Sequence, residues 1–294
     1  MRILITGAKG QLGTELQEIL ATGRSEIGPV PEAYRGAETT CVDLDSLDAS
    51  DEGAVRAFEA GLAEPFDLIL NCAAMTNVDA CETEPEAALL GNAVGPRNMA
   101  ALAARQGAKL VHVSTDYVFA GNASAPYTEW DLPAPATVYG KSKLLGEQYA
   151  LAQCPRTFIV RTAWLYGKQG NNFVKTIFGL ASQRDEITVV YDQVGNPTNA
   201  GDLAHHLLLI ALTEEYGIYH CTGNGICSWH EFAEEIVKLA GLPCVVKPVT
   251  TEEFPRPAPR PAYSAMDHLM LRATVGDGMR MWQEALAAYM PHLK

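Results

Sequence analysis

Residues 3–13 have the sequence ILITGAKGQLG, in which a short apolar run leads into three glycines spaced three residues apart. Gly7 permits a tight turn, Gly10 lets the backbone approach a pyrophosphate, and Gly13 lets a helix pack closely on a strand. Unpaired N–H groups at the start of that helix favour anions. Because a strand precedes the turn and a helix follows it, the segment predicts a dinucleotide-binding unit rather than a purely structural turn.

The pattern of short apolar runs alternating with helical periods continues along the chain and is typical of a parallel sheet. We predict an α/β fold: a doubly wound Rossmann sheet that forms an NAD(P)-binding domain over residues 1–165, and a smaller α/β substrate-binding lobe over residues 166–294. Without a Gly/Ser linker between them, we expect the chain to return to the first domain. The predicted strands are 3–6, 39–42, 68–72, 110–114 and 157–161, and the clearest predicted helices are 85–105 and 141–152.

Charge and composition exclude several classes of function. The net charge of −13 over 294 residues disfavours binding to nucleic acid, whose phosphates the chain would repel. Seven scattered cysteines without a C-x-x-C pair indicate reduced thiols and a cytoplasmic protein. No apolar stretch has the length of a membrane span, and the histidines lack the spacing of metal ligands. We therefore expect no membrane association and no metal site.

A tyrosine and a lysine four residues apart, Tyr139 and Lys143, are the second candidate for chemistry. At the start of a helix they share one face, so the ammonium is expected to lower the pKa of the phenol and to reach the ribose of a cofactor. A phenol with an ordinary pKa near 10 protonates an alkoxide poorly at neutral pH. About 0.3 such pairs are expected by chance, so an exposed pair at a helix start is the competing interpretation.

Polar residues at the ends of other predicted strands support a ligand site. Thr115 and Asp116 follow the strand 110–114, where α/β sheets bind ligands, and the Thr115 hydroxyl is placed to meet the same carbonyl as Tyr139. The small residues of 71–75 would let a cofactor pass close to the backbone. Asp43 ends another strand and is either a contact for adenosine or a helix cap.

The glycine turn, the Tyr139–Lys143 pair and the polar strand ends belong to a larger pattern of eight segments, which are distributed over nearly the whole chain. They are MRILITGAKGQLG (1–13), LILNCAAMTNVDACE (68–82), VHVSTDYVFAG (111–121), VYGKSKLLGEQ (138–148), VRTAWLYG (160–167), GNNFVKT (170–176), DQVGNPT (192–198) and RPAYSAMD (260–267). The pattern resembles the extended short-chain dehydrogenases, and within them the reductases of dTDP-linked 4-keto-deoxysugars. STDYVF, RTAWLYG and DQVGNPT are its most specific parts.

The resemblance implies hydride transfer from NADPH or NADH to C4 of dTDP-4-dehydro-L-rhamnose, with Tyr139 protonating the new alkoxide to give dTDP-L-rhamnose. It assigns Thr115, Tyr139 and Lys143 to catalysis. It assigns Thr115, Asp116 and Trp164 to the sugar, with an anchor between the two lobes as the competing role of Trp164. Together, the glycine turn and the resemblance predict these cofactor contacts beside Tyr139 and Lys143: Gly7, Gly10, Gln11, Leu12, Gly13, Asp43, Leu44, Ala74, Met75, Thr76 and Val113.

The resemblance also has departures. Some relatives dimerise through Mg²⁺ held by three glutamates, but only Glu15 has a counterpart here, and Gly201 stands in the place of another. We therefore expect no bridging magnesium ion, and a monomer or a different homodimer. Met75 stands where a histidine is common. Arg256 and Arg260 are further candidates for the substrate diphosphate, because a planar guanidinium suits phosphate oxygens.

Two other functions remain open from the sequence, as does the choice between NADPH and NADH. One is a reductase, epimerase or dehydratase of the same fold that acts on another nucleotide sugar; STDYVF, Trp164 and DQVGNPT argue against it. The other is a non-catalytic regulatory subunit, against which the intact Thr115, Tyr139 and Lys143 argue.

Overall fold

The computed structural model describes residues 1–293. The strands are β1 (Arg2–Thr6), β2 (Arg24–Ser25), β3 (Gly28–Pro29), β4 (Glu38–Val42), β5 (Leu68–Asn71), β6 (Lys109–Thr115), β7 (Thr157–Thr162), β8 (Leu165–Tyr166), β9 (Glu186–Val190), β10 (Val194–Gly195), β11 (Thr198–Asn199), β12 (Gly217–His220), β13 (Cys227–Ser228) and β14 (Val245–Val249). The α-helices are α1 (Gln11–Thr22), α2 (Glu52–Ala60), α3 (Val78–Thr83), α4 (Pro85–Leu89), α5 (Gly95–Gln106), α6 (Val138–Gln153), α7 (Phe173–Ala181), α8 (Ala200–Ala211), α9 (Trp229–Ala240), α10 (Leu269–Thr274) and α11 (Trp282–Tyr289). A π-helical turn (Leu90–Val94) joins α4 to α5, and 3₁₀ turns span Glu32–Tyr34, Asp116–Val118 and Met290–Leu293.

The central sheet has six strands in the order β12, β7, β6, β5, β1, β4, and every neighbouring pair is parallel. From β1 the chain first adds β4 on one side and then crosses to add β5 on the other. The winding therefore reverses between β1 and β5, and the carboxyl ends of these strands form the switch point at which such sheets bind ligands. The predicted doubly wound α/β fold is confirmed.

Each face of the sheet is covered by helices that bury apolar side chains. On one face, α1 packs on α8, and Leu12, Leu16 and Ile19 are buried in one core with residues of β1. On the other face, α2, α5 and α6 form a second core around Met99 and Ile159. The sheet is thus the middle of three layers, which fixes its carboxyl edge rigidly.

The predicted helices at 85–105 and 141–152 are present with different ends. The first is interrupted by the π-helical turn, and the second begins earlier, at Val138. Its earlier start has a local cause, because the Thr137 hydroxyl accepts a hydrogen bond of 3.0 Å from the Gly140 N–H and caps the helix. Tyr139 is therefore fixed within the first turn of α6.

The second part of the chain builds a smaller lobe. Its parallel pair β9 and β14 packs with α7, α9 and α11 around a separate apolar core that contains Phe232 and Trp282. The chain does not stay in this lobe, since α8 packs on the central sheet and β12 is one of its strands. The division at residue 165 stays a prediction. Within residues 1–293, no helix has the length and hydropathy needed to cross a membrane.

Candidate active site

A cleft of about 1350 Å³ opens at the carboxyl edge of the central sheet and extends to the smaller lobe. It lies at the switch point between β1 and β5, as the topology requires for a ligand site. All of the site residues predicted from the sequence line this cleft. They are Gly7, Gly10, Gln11, Leu12, Gly13, Asp43, Leu44, Ala74, Met75, Thr76, Val113, Thr115, Asp116, Tyr139, Lys143 and Trp164.

The glycine turn joins β1 to α1 at the floor of the cleft. Gly7 has a left-handed φ of 64°, which favours glycine, and its carbonyl accepts a hydrogen bond of 3.0 Å from the Gly10 N–H. A Cβ at Gly13 would lie 2.3 Å from the Gly7 oxygen, so only glycine permits this approach. Among residues 1–293 no side chain caps α1, and its first N–H groups are available to an anion. The turn therefore fits the pyrophosphate of a dinucleotide.

Asp43 and Leu44 lie beside this turn, after β4. The Asp43 carboxylate accepts hydrogen bonds of 2.9 Å from the N–H groups of Lys9 and Leu44. It therefore fastens the glycine turn to the end of β4, while the Leu44 side chain is largely exposed at the cleft. Asp43 does not cap a helix, since α2 begins after Asp51.

The wall that follows β5 is held by Asn92, which sequence reasoning missed. Its Oδ1 accepts from the Met75 N–H at 2.8 Å, and its Nδ2 donates to the Met75 carbonyl at 3.0 Å and to the Ser142 hydroxyl at 3.1 Å. Asn92 is fully buried in the π-helical turn, a feature common at functional sites. The sequence feature that could have indicated it is an amide side chain on the inward face of a predicted apolar helix.

Thr115, Tyr139 and Lys143 converge in the cleft from β6 and α6. The Lys143 ammonium is buried and donates to the Val113 carbonyl at 2.7 Å. The Thr115 hydroxyl donates to the Asp116 carboxylate at 2.9 Å. The Lys143 contact ties α6 to β6, and the hydroxyl groups and the ammonium line the same cleft.

Burial dominates the acid–base character of these groups. It lowers the pKa of Lys143 to about 8, although Glu147 and Cys72 oppose the change. It raises the pKa of Asp116 to about 6, against hydrogen bonds from Ser264 and Thr115. Burial also raises the pKa of Tyr139, and hydrogen bonding with Thr115 opposes the rise.

The expected lowering of the Tyr139 pKa by Lys143 is therefore not found. The physical reason is that desolvation of the buried phenol is the largest influence on its pKa. Tyr139 is therefore neutral near pH 7, and burial makes it a weaker acid than a free phenol.

Trp164 has a strained backbone and an aromatic partner that the sequence did not reveal. Its φ of 45° lies in the left-handed region, where bulky residues are rare. The indole stacks on Trp229, with ring centroids 3.5 Å apart, and a Cβ at Gly195 would lie 2.7 Å from it. Both tryptophans line the cleft on its smaller-lobe side.

The surroundings of Glu15 are relevant to the prediction that no magnesium ion bridges two copies of the chain. Lys168 Nζ lies 3.5 Å from the Glu15 carboxylate, whose pKa is raised by burial against the effect of that ammonium. Gly201 lies beside the same carboxylate. In the part of the chain that the structure describes, no three His, Cys, Asp or Glu side chains are grouped to hold a metal ion. The absence of a bridging magnesium stays a prediction.

An uncapped helix at a glycine turn, facing a tyrosine–lysine pair across the switch point of a parallel sheet, is the arrangement of the extended short-chain dehydrogenases, and the chain is of this class. More narrowly, the chain belongs to the RmlD family, because the family model described as the RmlD substrate binding domain matches residues 1–294.

Relatives with known names agree with this family. A dTDP-4-dehydrorhamnose reductase of Streptomyces griseus is 40% identical, with 99% of this chain and 94% of the relative covered. The crystal structure of a dTDP-4-dehydrorhamnose reductase from Clostridium acetobutylicum is 47% identical with a TM-score of 0.93, covering 100% of this chain and 99% of the other. A Bacillus anthracis dTDP-4-dehydrorhamnose reductase solved in complex with NADP is 42% identical with a TM-score of 0.90, covering 99% and 98%.

Proposed function

We propose that the chain is an NAD(P)H-dependent reductase that converts the C4 carbonyl of dTDP-4-dehydro-L-rhamnose to the alcohol of dTDP-L-rhamnose. The observation that carries this proposal is the convergence of Thr115, Tyr139 and Lys143 in the cleft that the glycine turn opens. The names of the full-length relatives support the substrate, and the Bacillus anthracis complex supports NADP as the cofactor.

The residues around the glycine turn fit a dinucleotide. The N-terminus of α1 would hold the pyrophosphate. A Cβ at Gly10 would lie 3.2 Å from the Gly7 oxygen, so a larger residue would crowd the turn. Asp43 and Leu44 would meet the adenosine end. The wall of 74–76 and Val113 would face the nicotinamide. When bound, the reduced nicotinamide supplies the hydride.

Tyr139 is the proposed general acid. The phenol is protonated near pH 7, and it would donate its proton to the alkoxide oxygen that forms at C4, which is a stronger base than the phenolate. Thr115, whose hydroxyl interacts with Tyr139, would hydrogen-bond the same oxygen. Proton donation of this kind typically contributes about 10² to 10⁴ in rate.

Lys143 would supply positive charge at a buried position in the cleft. With a pKa of about 8, it is mostly protonated at neutral pH. Its charge favours developing negative charge on the phenol and on the substrate oxygen. The remaining N–H groups of the ammonium are available to ribose hydroxyls.

The substrate would extend from the catalytic groups toward the smaller lobe. Asp116 would accept hydrogen bonds from the sugar, and the indole of Trp164 would pack on it, since both residues line the cleft. Arg256 and Arg260 also line the cleft and are the proposed partners of the diphosphate. These local cations outweigh the distant negative charge of the chain.

We also propose a cytoplasmic protein that is a monomer or a homodimer without bridging magnesium. The seven cysteines, all free thiols, support a reducing compartment. Lys168 next to Glu15 supports a site that needs no cation. Analytical ultracentrifugation with and without a chelator tests the second point, because a magnesium-bridged dimer would dissociate.

The test of function is nicotinamide oxidation with dTDP-4-dehydro-L-rhamnose, using NADPH and NADH in turn, with the product identified by NMR. We expect turnover and dTDP-L-rhamnose. Faster conversion of another nucleotide sugar would favour a different enzyme of this fold. A protein that binds cofactor and substrate without turnover would favour the regulatory alternative.

A further inference from the structure

The Asp79 carboxylate holds a proline-rich segment that borders the cleft. This segment, residues 254–261, has the sequence FPRPAPRP and is called the strap. Asp79 on α3 accepts hydrogen bonds from the strap at Arg256 Nη2 (2.6 Å), Ala258 N (3.1 Å) and Arg260 Nη2 (2.9 Å). Both oxygens of one side chain are therefore used to hold two guanidinium groups together.

The arginines face the cleft, whereas the carboxylate lies behind them. Arg256 and Arg260 line the cleft, and within the described part of the chain Asp79 is not among the lining residues. Each arginine uses a single nitrogen, Nη2, for Asp79, although a guanidinium carries five N–H groups. Arg260 Nη1 is buried and has no hydrogen-bond partner among residues 1–293. Arg260 therefore has a guanidinium nitrogen, Nη1, that Asp79 does not use and that has no hydrogen-bond partner in the described residues.

The charges of the group suit an anion. Two guanidinium groups and one carboxylate leave one net positive charge beside the cleft. Burial alone would raise the pKa of Asp79, but the Ala258 N–H and the two arginines outweigh it and lower that pKa. Asp79 therefore stays ionised and offsets the repulsion that would otherwise separate the arginines.

We infer that Asp79 is a positioning residue that holds Arg256 and Arg260 at the spacing needed to bind the diphosphate of the nucleotide-sugar substrate. The inference rests on the proposed function. Asp79 keeps its hydrogen bonds while the free N–H groups of both arginines bind the anion, so the carboxylate assists the diphosphate rather than competing with it. The prolines stiffen the strap, so one attachment point on α3 is enough to fix the positions of both arginines.

The test measures the binding of dTDP and of thymidine to the protein saturated with NADPH, by calorimetry. In Asp79→Asn we expect dTDP to bind about tenfold more weakly, because the arginines lose their shared carboxylate. Thymidine affinity and NADPH affinity should stay unchanged, since neither ligand uses the two arginines. In turnover the substrate KM should rise while kcat is kept, and Asp79→Glu should recover part of the loss.

The matched control is Asp267→Asn, which removes a carboxylate held by Arg272 at 2.6 Å outside the cleft. It should leave all three affinities unchanged. Unchanged or tighter binding of dTDP in Asp79→Asn would overturn the inference, the second result by showing that Asp79 competes with the anion. Equal weakening of dTDP and thymidine would also overturn it, because the effect would be a general loss of structure. A wild-type protein that binds NADPH but not dTDP would instead contradict the proposed function.

Discussion

The Lys143 ammonium lies 2.7 Å from the carbonyl oxygen of Val113, so a buried charge connects α6 to β6 inside the cleft. Burial lowers the pKa of this ammonium to about 8, and Glu147 and Cys72 limit the effect. The neighbouring His112 stays neutral, because burial and Lys143 hold its pKa well below the usual value. Lys143 therefore loses its charge within an accessible pH range.

We expect kcat/KM to fall as pH rises through about 8, because the deprotonated amine no longer stabilises negative charge at the active site. In Lys143→Arg the guanidinium stays charged, so the alkaline limb should move to higher pH even if the rate is lower. Lys141→Met, which removes an exposed lysine of the same helix, is the control and should keep the wild-type profile. An unchanged alkaline limb in Lys143→Arg would assign it to another group.

Gly13→Ala should weaken NADPH binding and lower stability. Its Cβ would lie 2.3 Å from the Gly7 oxygen and 2.8 Å from the Ala8 Cα, and moving these backbone atoms would destabilise the turn. We expect a loss of about 1–3 kcal/mol in the free energy of unfolding, measured with urea. Gly179→Ala, in α7, meets no described atom within 4 Å and should instead gain about 0.5–1 kcal/mol without affecting NADPH. Similar effects of the two substitutions would refute the packing argument.

Asp116 should make the protein less stable as pH rises from about 4 to about 6. Its folded-state pKa is raised from 3.8 to about 6, so the folded protein binds the proton more tightly than the unfolded chain in this range. The shift corresponds to a loss of roughly 3 kcal/mol in the free energy of unfolding, which is absent below both pKa values and complete above about pH 6. The measurement compares urea unfolding of the wild type and Asp116→Asn at several pH values. A difference between them that does not vary with pH would contradict the assignment.

Much of the fold and of the candidate site could be predicted because the signals are local. The glycines of 7–13 stand between a strand and a helix, and Tyr139 and Lys143 are one helical turn apart, so their placement follows from spacing. Thr115 and Asp116 could be placed because the carboxyl ends of parallel strands meet at one edge.

The remaining features depend on contacts between distant parts of the chain. Asp79 meets Arg256 and Arg260 across about 180 residues, and no periodicity relates them. The stacking of Trp164 on Trp229 likewise arises only when the smaller lobe folds against the sheet. The Tyr139 pKa could not be predicted from spacing, because desolvation depends on everything packed around the phenol.

The most direct test of the account is the rate of Tyr139→Phe, since the phenol is proposed to donate the proton that completes reduction. With dTDP-4-dehydro-L-rhamnose and NADPH, we predict that kcat falls by about 10² to 10⁴ while the Kd for NADPH is unchanged. Tyr149→Phe removes an exposed hydroxyl from the same helix and should match the wild type. Wild-type kcat in Tyr139→Phe would contradict the central claim.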